Sequence, residues 1–216
     1  MIVTLDGPAG AGKSSTARAL AARLGWWYMD TGAMYRAVAL AALERGVPLT
    51  DGGLLAALAE SLTIEFRDGR VLADGHDVSD AIRTDRVTAA TRPVADEPRV
   101  REAMKHLQRR LAAGRDVVTE GRDQGSVVFP GADLKVFLTA GAEERARRRH
   151  LEEVRRGNAV SLADVLAAQN RRDDGDRGRP VGAMRPADDA VLLETDGLSP
   201  AEVVDRLVLF VAERRP

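Results

Sequence analysis

The chain has 216 residues, of which 44% are hydrophobic and 30% are charged, and its formal net charge is −1. This length and composition predict one globular domain with small lobes and exclude a disordered protein. The near-zero charge predicts no general attraction to nucleic acid or to an anionic membrane, and the lack of cysteine excludes disulfides and thiolate zinc sites. Apolar runs are too short to span a bilayer and the first twelve residues do not resemble a secretory signal, so the expected location is the cytoplasm.

Short apolar runs alternate with helical stretches along the chain, which predicts βαβ units and a parallel sheet. In chain order we first expect strand Ile2–Leu5, helix Ser14–Leu24, strand Trp26–Tyr28 and helices Ala33–Arg45 and Leu54–Leu62. Next come a hairpin of Thr63–Phe66 and Arg70–Ala73 and helices Thr84–Ala95 and Arg99–Ala113. The rest of the chain is expected to form strands Asp116–Thr119 and Leu134–Leu138, helix Glu143–Arg156, a helix after Ser161, strand Ala190–Glu194 and a terminal helix after Ser199. The five strands outside the hairpin predict a doubly wound α/β sheet.

Two kinds of local signal refine this outline. Asp68–Gly69 is a strong two-residue hairpin turn, and it interrupts the helix–strand rhythm, so residues 63–83 are expected to form an inserted lobe. Ser161 with Asp164, and Ser199 with Glu202, have the spacing of capping boxes at helix starts.

The segment Gly7-Pro8-Ala9-Gly10-Ala11-Gly12-Lys13-Ser14 fits the pattern G-x-x-x-x-G-K-S without a gap. It lies between a predicted strand and a predicted helix, where inward-facing amides and the helix dipole favour a phosphate chain. Lys13 is one of three lysines in the chain; it can reach the β- and γ-phosphates of ATP, and Ser14 can hold Mg²⁺. Residue 15 is serine, so the dinucleotide-binding pattern G-x-G-x-x-G is not met.

Other strand ends narrow the class of P-loop protein. No lysine belongs to an Asn/Thr-Lys-x-Asp element, which disfavours a GTPase, and Glu120 is an imperfect substitute for the acidic strand end of a motor or translocase. Asp30–Arg36 and Gly121–Asp123 follow predicted strands, and another charged cluster spans Arg171–Arg179. Because carboxyl ends of parallel strands share one edge, the first two groups are expected to converge on the P-loop. The alternative interpretation of each is a solvated, self-neutralising charge run.

Taken together, these segments resemble the bacterial cytidylate kinases of the nucleoside monophosphate kinase family. The resemblance runs essentially end to end and includes Asp6-Gly7-Pro8, Asp30–Arg36, Ile82–Thr84, Pro98–Ala103, Gly121–Asp123, Val127–Pro130 and the late Arg/Asp cluster. It implies one P-loop kinase domain over residues 1–216, with a monophosphate-binding lobe over 31–113 that carries a small antiparallel sheet, and a lid over about 157–185. It also implies a monomer that transfers the γ-phosphoryl group of ATP to CMP or dCMP with the help of Mg²⁺.

The resemblance assigns roles to individual residues. Those expected at the donor ATP are Gly7, Pro8, Ala9, Gly10, Ala11, Gly12, Lys13, Ser14 and Ser15, with Arg145 and Arg149 as lid arginines. Those expected at the acceptor are Arg36, Arg122 and Arg179 on its phosphate, Arg101 and Asp123 on cytosine, Arg172 and Asp176 near the sugar, and Thr31. Lys13, Arg122 and Arg179 are the expected catalytic groups. A carboxylate beside a guanidinium complements cytosine, which offers an N4 donor next to N3 and O2 acceptors.

Two alternatives stay open from the residues alone. Another small-acceptor P-loop kinase, of the UMP, AMP or shikimate type, would share the phosphate loop but not the inserted lobe or the pair Arg101 and Asp123. An ATP-binding module without phosphotransfer would not need Lys13 followed by Ser14 beside convergent arginines. The basic helix that carries Arg145 and Arg149 could equally be a solvated face.

Overall fold

The computed structural model describes residues 1–155 and 157–214 of the chain. The strands of this described part are β1 (Ile2–Asp6), β2 (Trp27–Asp30), β3 (Ile64–Arg67), β4 (Arg70–Ala73), β5 (His76–Asp77), β6 (Val117–Glu120), β7 (Leu134–Thr139) and β8 (Val191–Glu194). Its α-helices are α1 (Lys13–Leu24), α2 (Thr31–Glu44), α3 (Gly52–Ser61), α4 (Asp85–Asp96), α5 (Pro98–Ala112), α6 (Ala142–Arg155), α7 (Leu162–Arg177) and α8 (Pro200–Ala212). A 3₁₀ turn covers Ala81–Arg83 and a π-helical turn covers Gln124–Val128.

The main sheet has the strand order β2-β6-β1-β7-β8, and β1 runs parallel to both of its neighbours. The chain fills one side of β1 with β2 and β6 before it crosses to β7 and β8 on the other side. In sheets of this kind, ligands bind at the switch point, outside the carboxyl ends of the strands. The predicted doubly wound, five-stranded sheet is therefore confirmed.

The chain divides into two compact units, Met1–Tyr28 with Gly114–Pro216, and Met29–Ala113. The core of the first unit packs α1 and α8 against the sheet through fully buried side chains such as Leu5 and Leu207. Burying such side chains contributes about 1.5–3 kcal/mol each, which makes this sheet a rigid base for the loops at its edge.

The second unit packs α2, α3, α4 and α5 around a core that includes Met34 and Met104, and it carries the small sheet β3-β4-β5. The turn of the hairpin is where the sequence predicts it, with Asp68 and Gly69 at φ 50° and 75°. The predicted hairpin accounts for only two of the three strands, however, because β5 pairs with β4 as a third antiparallel strand. A strand of two residues is too short for a periodic pattern to reveal.

The helices occur where the sequence predicts them, with two differences. The helix after Ser161 continues to Arg177, so α7 contains most of the charged cluster that the sequence did not assign to any element. The π-helical turn after Asp123 was not predicted. The end expected for the helix now seen as α6, Arg156, lies outside the described residues. Within residues 1–155 and 157–214, no helix has both the length and the apolar character needed to cross a membrane.

The two predicted capping boxes differ in the structure. At α8, the hydroxyl of Ser199 accepts the N–H of Glu202, and the Glu202 carboxylate accepts the N–H of Ser199 at 2.8 Å. At α7, Ser161 caps Asp164 in the same way, but the shorter Asp164 carboxylate accepts the Ser161 hydroxyl at 2.6 Å in place of the backbone. The capping box at α7 is therefore only half formed.

Replacement of Ser199 by alanine is expected to lower the free energy of unfolding by about 1 kcal/mol, because α8 loses the acceptor for a first-turn amide. Urea denaturation measures the loss. Ser199→Thr is the matched control, since threonine keeps the hydroxyl that caps α8 and that donates to the Glu202 carboxylate, and it should cost much less stability than alanine. Equal stability of Ser199→Ala and the wild type would contradict the role of the cap.

Candidate active site

The loop between β1 and α1 has the backbone of a phosphate-binding loop. Gly7 has φ 140°, and a Cβ there would lie 2.0 Å from the carbonyl oxygen of Leu138 in β7, so only glycine fits. Gly12, at φ 86°, is the N-cap of α1 and has no side chain that could cap the helix. The first amides of α1 are therefore available to an anion, which the helix dipole also favours.

Lys13 is buried inside this loop. Its side chain is 5% exposed, and Nζ donates a hydrogen bond of 2.8 Å to the carbonyl oxygen of Pro8. Burial, followed by the positive charge of Arg122, lowers the pKa of Lys13 to about 7, although Glu120 partly opposes the shift. The amine is thus held in a site that disfavours its charge until an anion arrives to compensate it.

Asp6, the last residue of β1, connects the loop to the turn after β6. Its carboxylate is buried and accepts the N–H groups of Gln124 at 2.8 Å and Gly125 at 2.7 Å. Burial raises the pKa of Asp6 to about 7 in spite of these two bonds. The π-helical turn that follows Asp123 is therefore fixed by a residue from the start of the chain.

Two side chains next to the loop can supply oxygen ligands to a metal ion. The hydroxyl of Ser14, in the first turn of α1, donates to Oε1 of Glu120 at 2.9 Å. Glu120 ends β6, the strand beside β1, and is buried. Hydroxyl and carboxylate oxygens are the ligands that Mg²⁺ prefers, so these two residues fit a magnesium site.

Two of the predicted arginines share one aspartate. Nε of Arg122 is 2.8 Å from Oδ2 of Asp176, and Nη2 of Arg179 is 2.7 Å from Oδ1 of the same carboxylate. Burial is the largest influence and raises the pKa of Asp176, but the charges of Arg122 and Arg179 outweigh it and leave the pKa below its ordinary value. Guanidinium groups bind phosphate oxygens in pairs, so two of them held together by one carboxylate are suited to a phosphate.

Two further residues that the sequence predicts at the acceptor lie in the same unit as Arg122, Asp176 and Arg179. Asp123 is buried and directly precedes the π-helical turn. Arg172 is exposed on α7, and its charge acts on both Lys13 and Asp176. Turns of the π type occur often at functional sites.

The second unit carries the other three predicted acceptor residues. Thr31 is the buried first residue of α2. Nη1 of Arg36 donates to the carbonyl of Ile82 at 3.1 Å and to the hydroxyl of Thr88 at 2.7 Å. Arg101 is buried on α5, with its guanidinium carbon 5.6 Å from the centre of the Tyr35 ring. Contacts within this unit thus fix the conformations of Arg36 and Arg101.

Comparison with known proteins identifies the family. A model of the cytidylate kinase family matches residues 3–213. The chain belongs to the cytidylate kinase family. A cytidylate kinase of Rhodopirellula baltica is 50% identical over 213 residues, which cover 99% of this chain and 93% of that protein. A cytidylate kinase of Geobacter sulfurreducens is 48% identical over 218 residues, with 99% and 94% covered. The resemblance drawn from the sequence motifs is confirmed, and membership of the cytidylate kinase family makes the chain an ATP-dependent phosphotransferase.

Solved structures agree with the fold at low identity. TT1252 from Thermus thermophilus is 22% identical, with a TM-score of 0.51 and 100% and 98% of the two chains covered. A shikimate kinase from Bacteroides thetaiotaomicron is 13% identical, with a TM-score of 0.50 and 98% of each chain covered. These similarities show the kinase fold and nothing about the acceptor.

The two arginines expected in the lid of this cytidylate kinase family member differ in environment. Arg145 is buried, and its Nη1 donates to the carbonyl of Ala9 in the P-loop at 2.7 Å. Arg149 is exposed and forms ion pairs with Glu152 and Glu153 of its own helix at 3.2 and 2.6 Å. Arg145 therefore contacts the P-loop directly, whereas Arg149 resembles the solvated face that the sequence left open.

Sequence reasoning missed two residues of this site. In the sequence Asp6 is only part of a motif, and Asp173 is only part of a charged cluster. Both are buried, and they accept backbone N–H groups of the turn after β6 and of the P-loop. The spacing of Gln169, Asp173 and Asp176 would place them on one face of a helix, and that was the signal available.

Proposed function

We propose that the protein transfers the γ-phosphoryl group of ATP to CMP or dCMP, giving ADP and CDP or dCDP. The observation that carries the proposal is a buried Lys13 within an intact G-x-x-x-x-G-K-S loop, in a member of the cytidylate kinase family. Phosphoryl transfer in such sites depends on positioning and on charge stabilisation of the transferred group.

On the donor side, we assign the triphosphate to the loop residues 7–15. Lys13 would leave the carbonyl of Pro8 and bind the phosphates, whose negative charge favours the protonated amine in its buried site. Ser14 would bind Mg²⁺ directly through its hydroxyl. Glu120 would help to hold the ion through its hydrogen bond with Ser14. When bound, the ion would neutralise charge on the phosphates and help to orient them. Arg145 supports the loop through its hydrogen bond to the carbonyl of Ala9.

On the acceptor side, Arg36, Arg122 and Arg179 are the proposed clamp for the monophosphate. Arginine suits this role because its guanidinium fork binds phosphate oxygens in pairs. Arg101 and Asp123 are proposed to read cytosine. The remaining acceptor residues, proposed to contact the sugar or to complete the site, are Thr31, Arg172 and Asp176.

The chemistry needs no side-chain base, because the attacking group of the acceptor is already a phosphate anion. The protein's contribution is to bring two polyanions together in line. Each charge-assisted hydrogen bond contributes about 1.5–3 kcal/mol, so a few that strengthen in the transition state supply several decades of rate. The proposed lid, residues 157–185, would exclude water that could otherwise hydrolyse ATP. A cytoplasmic monomer remains our prediction for the state of the protein.

The direct test is an ADP-release assay with CMP, dCMP, UMP and AMP offered in parallel. We expect CMP and dCMP to be phosphorylated with the highest kcat/KM. Faster turnover of AMP would instead support an adenylate-type kinase, and turnover of none of the four in the presence of ATP and Mg²⁺ would refute the proposal.

Asp123→Asn is expected to weaken CMP binding about tenfold or more, because one charge-assisted hydrogen bond to the cytosine amino group is lost. Affinity for a non-hydrolysable ATP analogue should change less than about twofold and serves as the internal control. Equilibrium titration of both ligands measures the difference. If both affinities fall equally, Asp123 does not read the base.

A further inference from the structure

Helix α7 buries polar side chains where a helix usually buries apolar ones. Its described buried residues are Gln169, Asp173 and Asp176, which lie on one face at positions i, i+4 and i+7. Buried aspartates are rare unless they are paired and hydrogen-bonded. The contacts made by this face are therefore specific polar ones, and they indicate what α7 does.

Asp173 binds the P-loop. Its side chain is 1% exposed, and Oδ1 accepts the N–H of Ala9 at 3.0 Å. Its other oxygen, Oδ2, accepts Nη1 of Arg145 at 2.6 Å, and the same Nη1 donates to the carbonyl of Ala9 at 2.7 Å. The two charged side chains thus form a closed network that engages both backbone polar groups of Ala9.

The next residue of the loop is packed against the same two helices. A Cβ on Gly10 would lie 2.9 Å from Oε1 of Gln169 and 3.1 Å from Cβ of Arg145. Gln169 is itself held by a hydrogen bond of 3.2 Å from its Nε2 to the carbonyl of Ala142, the first residue of α6. Helices α6 and α7 therefore fix the glycine-rich loop at two consecutive residues.

We propose that Asp173 is a positioning residue that holds the P-loop in the conformation that receives the donor triphosphate, acting through Ala9 and Arg145. The inference rests on the proposed donor role of the loop. A loop with three glycines has many alternative conformations, so a network that orders it before binding removes an entropic cost from binding. Asp176 makes its contacts independently, to Arg122 and Arg179, so a change at Asp173 should affect the donor and spare the acceptor.

Asp173→Asn tests the proposal. The asparagine oxygen could still accept the N–H of Ala9, but its amide group would face Nη1 of Arg145, donor against donor. We expect the KM for ATP to rise about tenfold or more and the KM for CMP to change less than about twofold. The matched control is Asp174→Asn, because Asp174 is an exposed carboxylate on the same helix that pairs with exposed Arg177. Equal KM values for ATP in the two variants would overturn the proposal.

Hydrogen exchange of the Ala9 amide gives a second readout that needs no nucleotide. We expect this amide to exchange about tenfold faster in Asp173→Asn than in the wild type or in Asp174→Asn. Because the measurement uses no substrate, it is separate from the assay of CMP phosphorylation. A wild type that releases no ADP would refute the proposed function, whereas unchanged exchange at Ala9 would refute the positioning role.

A second variant keeps the test decisive if Asp173→Asn does not fold. Asp173→Asn leaves the buried charge of Arg145 without its carboxylate, whereas Arg145→Met combined with Asp173→Leu removes both charges together with the acceptor of the Ala9 N–H, and is expected to keep the fold. Exchange at Ala9 should still be about tenfold faster in this double variant. Since no ATP is present, loss of a direct contact between Arg145 and ATP cannot cause that result. A folded double variant with wild-type exchange at Ala9 would overturn the proposal.

Discussion

Lys13→Met is expected to give a protein that is more stable than the wild type and has lost most of its phosphotransfer activity. Lys13 is buried, and its pKa in the folded protein is about 7 against an ordinary 10.5. The folded state therefore binds fewer protons than the unfolded chain between these pH values. The cost of burying the charge is fully present below about pH 7 and disappears as the pH rises to the unfolded value.

The size of the gain follows from that shift. Lowering a pKa by one corresponds to about 1.4 kcal/mol of electrostatic cost in the folded state. The lost hydrogen bond to Pro8 offsets part of the stability gained by removing that cost, so the free energy of unfolding is expected to rise by about 2 kcal/mol below pH 7. The activation barrier should rise by about 2 kcal/mol or more, because a charge contact to the transferred group is removed. Function thus keeps an amine where stability alone favours a thioether.

Thermal unfolding at about pH 6.5 and pH 10, with kcat from ADP release, measures both effects. The gain in stability should be clearly larger at the lower pH. Lys105→Met is the control, since Lys105 forms an ion pair with Glu102 on α5 and should affect neither quantity by more than about 0.5 kcal/mol. An unchanged kcat would contradict the donor role of Lys13, and a destabilised Lys13→Met would contradict the electrostatic cost.

Gly7→Ala is expected to lower the free energy of unfolding by more than about 3 kcal/mol. Its Cβ would lie 2.0 Å from the carbonyl oxygen and 3.0 Å from the carbonyl carbon of Leu138, which is backbone of β7. Since β1 and β7 are neighbours in the main sheet, neither strand can withdraw without loss of ladder hydrogen bonds. The clash cannot be relieved by a change of rotamer.

Gly12→Ala is the matched comparison for this substitution. Gly12 also has positive φ, but the nearest atom to a Cβ there is 3.9 Å away, so only the backbone strain remains, about 1–2 kcal/mol. Urea denaturation of both variants separates the clash from the strain. Equal losses of stability would show that the approach to Leu138 is not what requires glycine at position 7.

The parts of the site that were predictable are those in which function follows from a contiguous pattern. The P-loop combines glycines, a lysine and a serine at fixed spacing between a strand and a helix, and that pattern fixes its local conformation. The hairpin turn at Asp68–Gly69 was predictable for the same reason, because both residues adopt the positive φ that the turn requires.

The parts that were not predictable depend on contacts between distant residues. The π-helical turn Gln124–Val128 is held at its start by Asp6, 118 residues earlier than Gln124. The extent of α7 was missed because its buried face is polar, and hydrophobic periodicity gives no signal for such a helix. The third strand of the small sheet consists of two residues and exists only because β4 offers it an edge.

The sequence by itself determined the order of the elements, the parallel sheet, the phosphate loop and the family to which the chain belongs. Each of these follows from residue types and spacings along the chain. Only the tertiary structure decided that Lys13 is buried with a pKa of about 7, that Asp176 joins Arg122 to Arg179, and that Asp173 engages Ala9. Burial, charge pairing and hydrogen bonding depend on distances in space, and a linear pattern does not contain those distances.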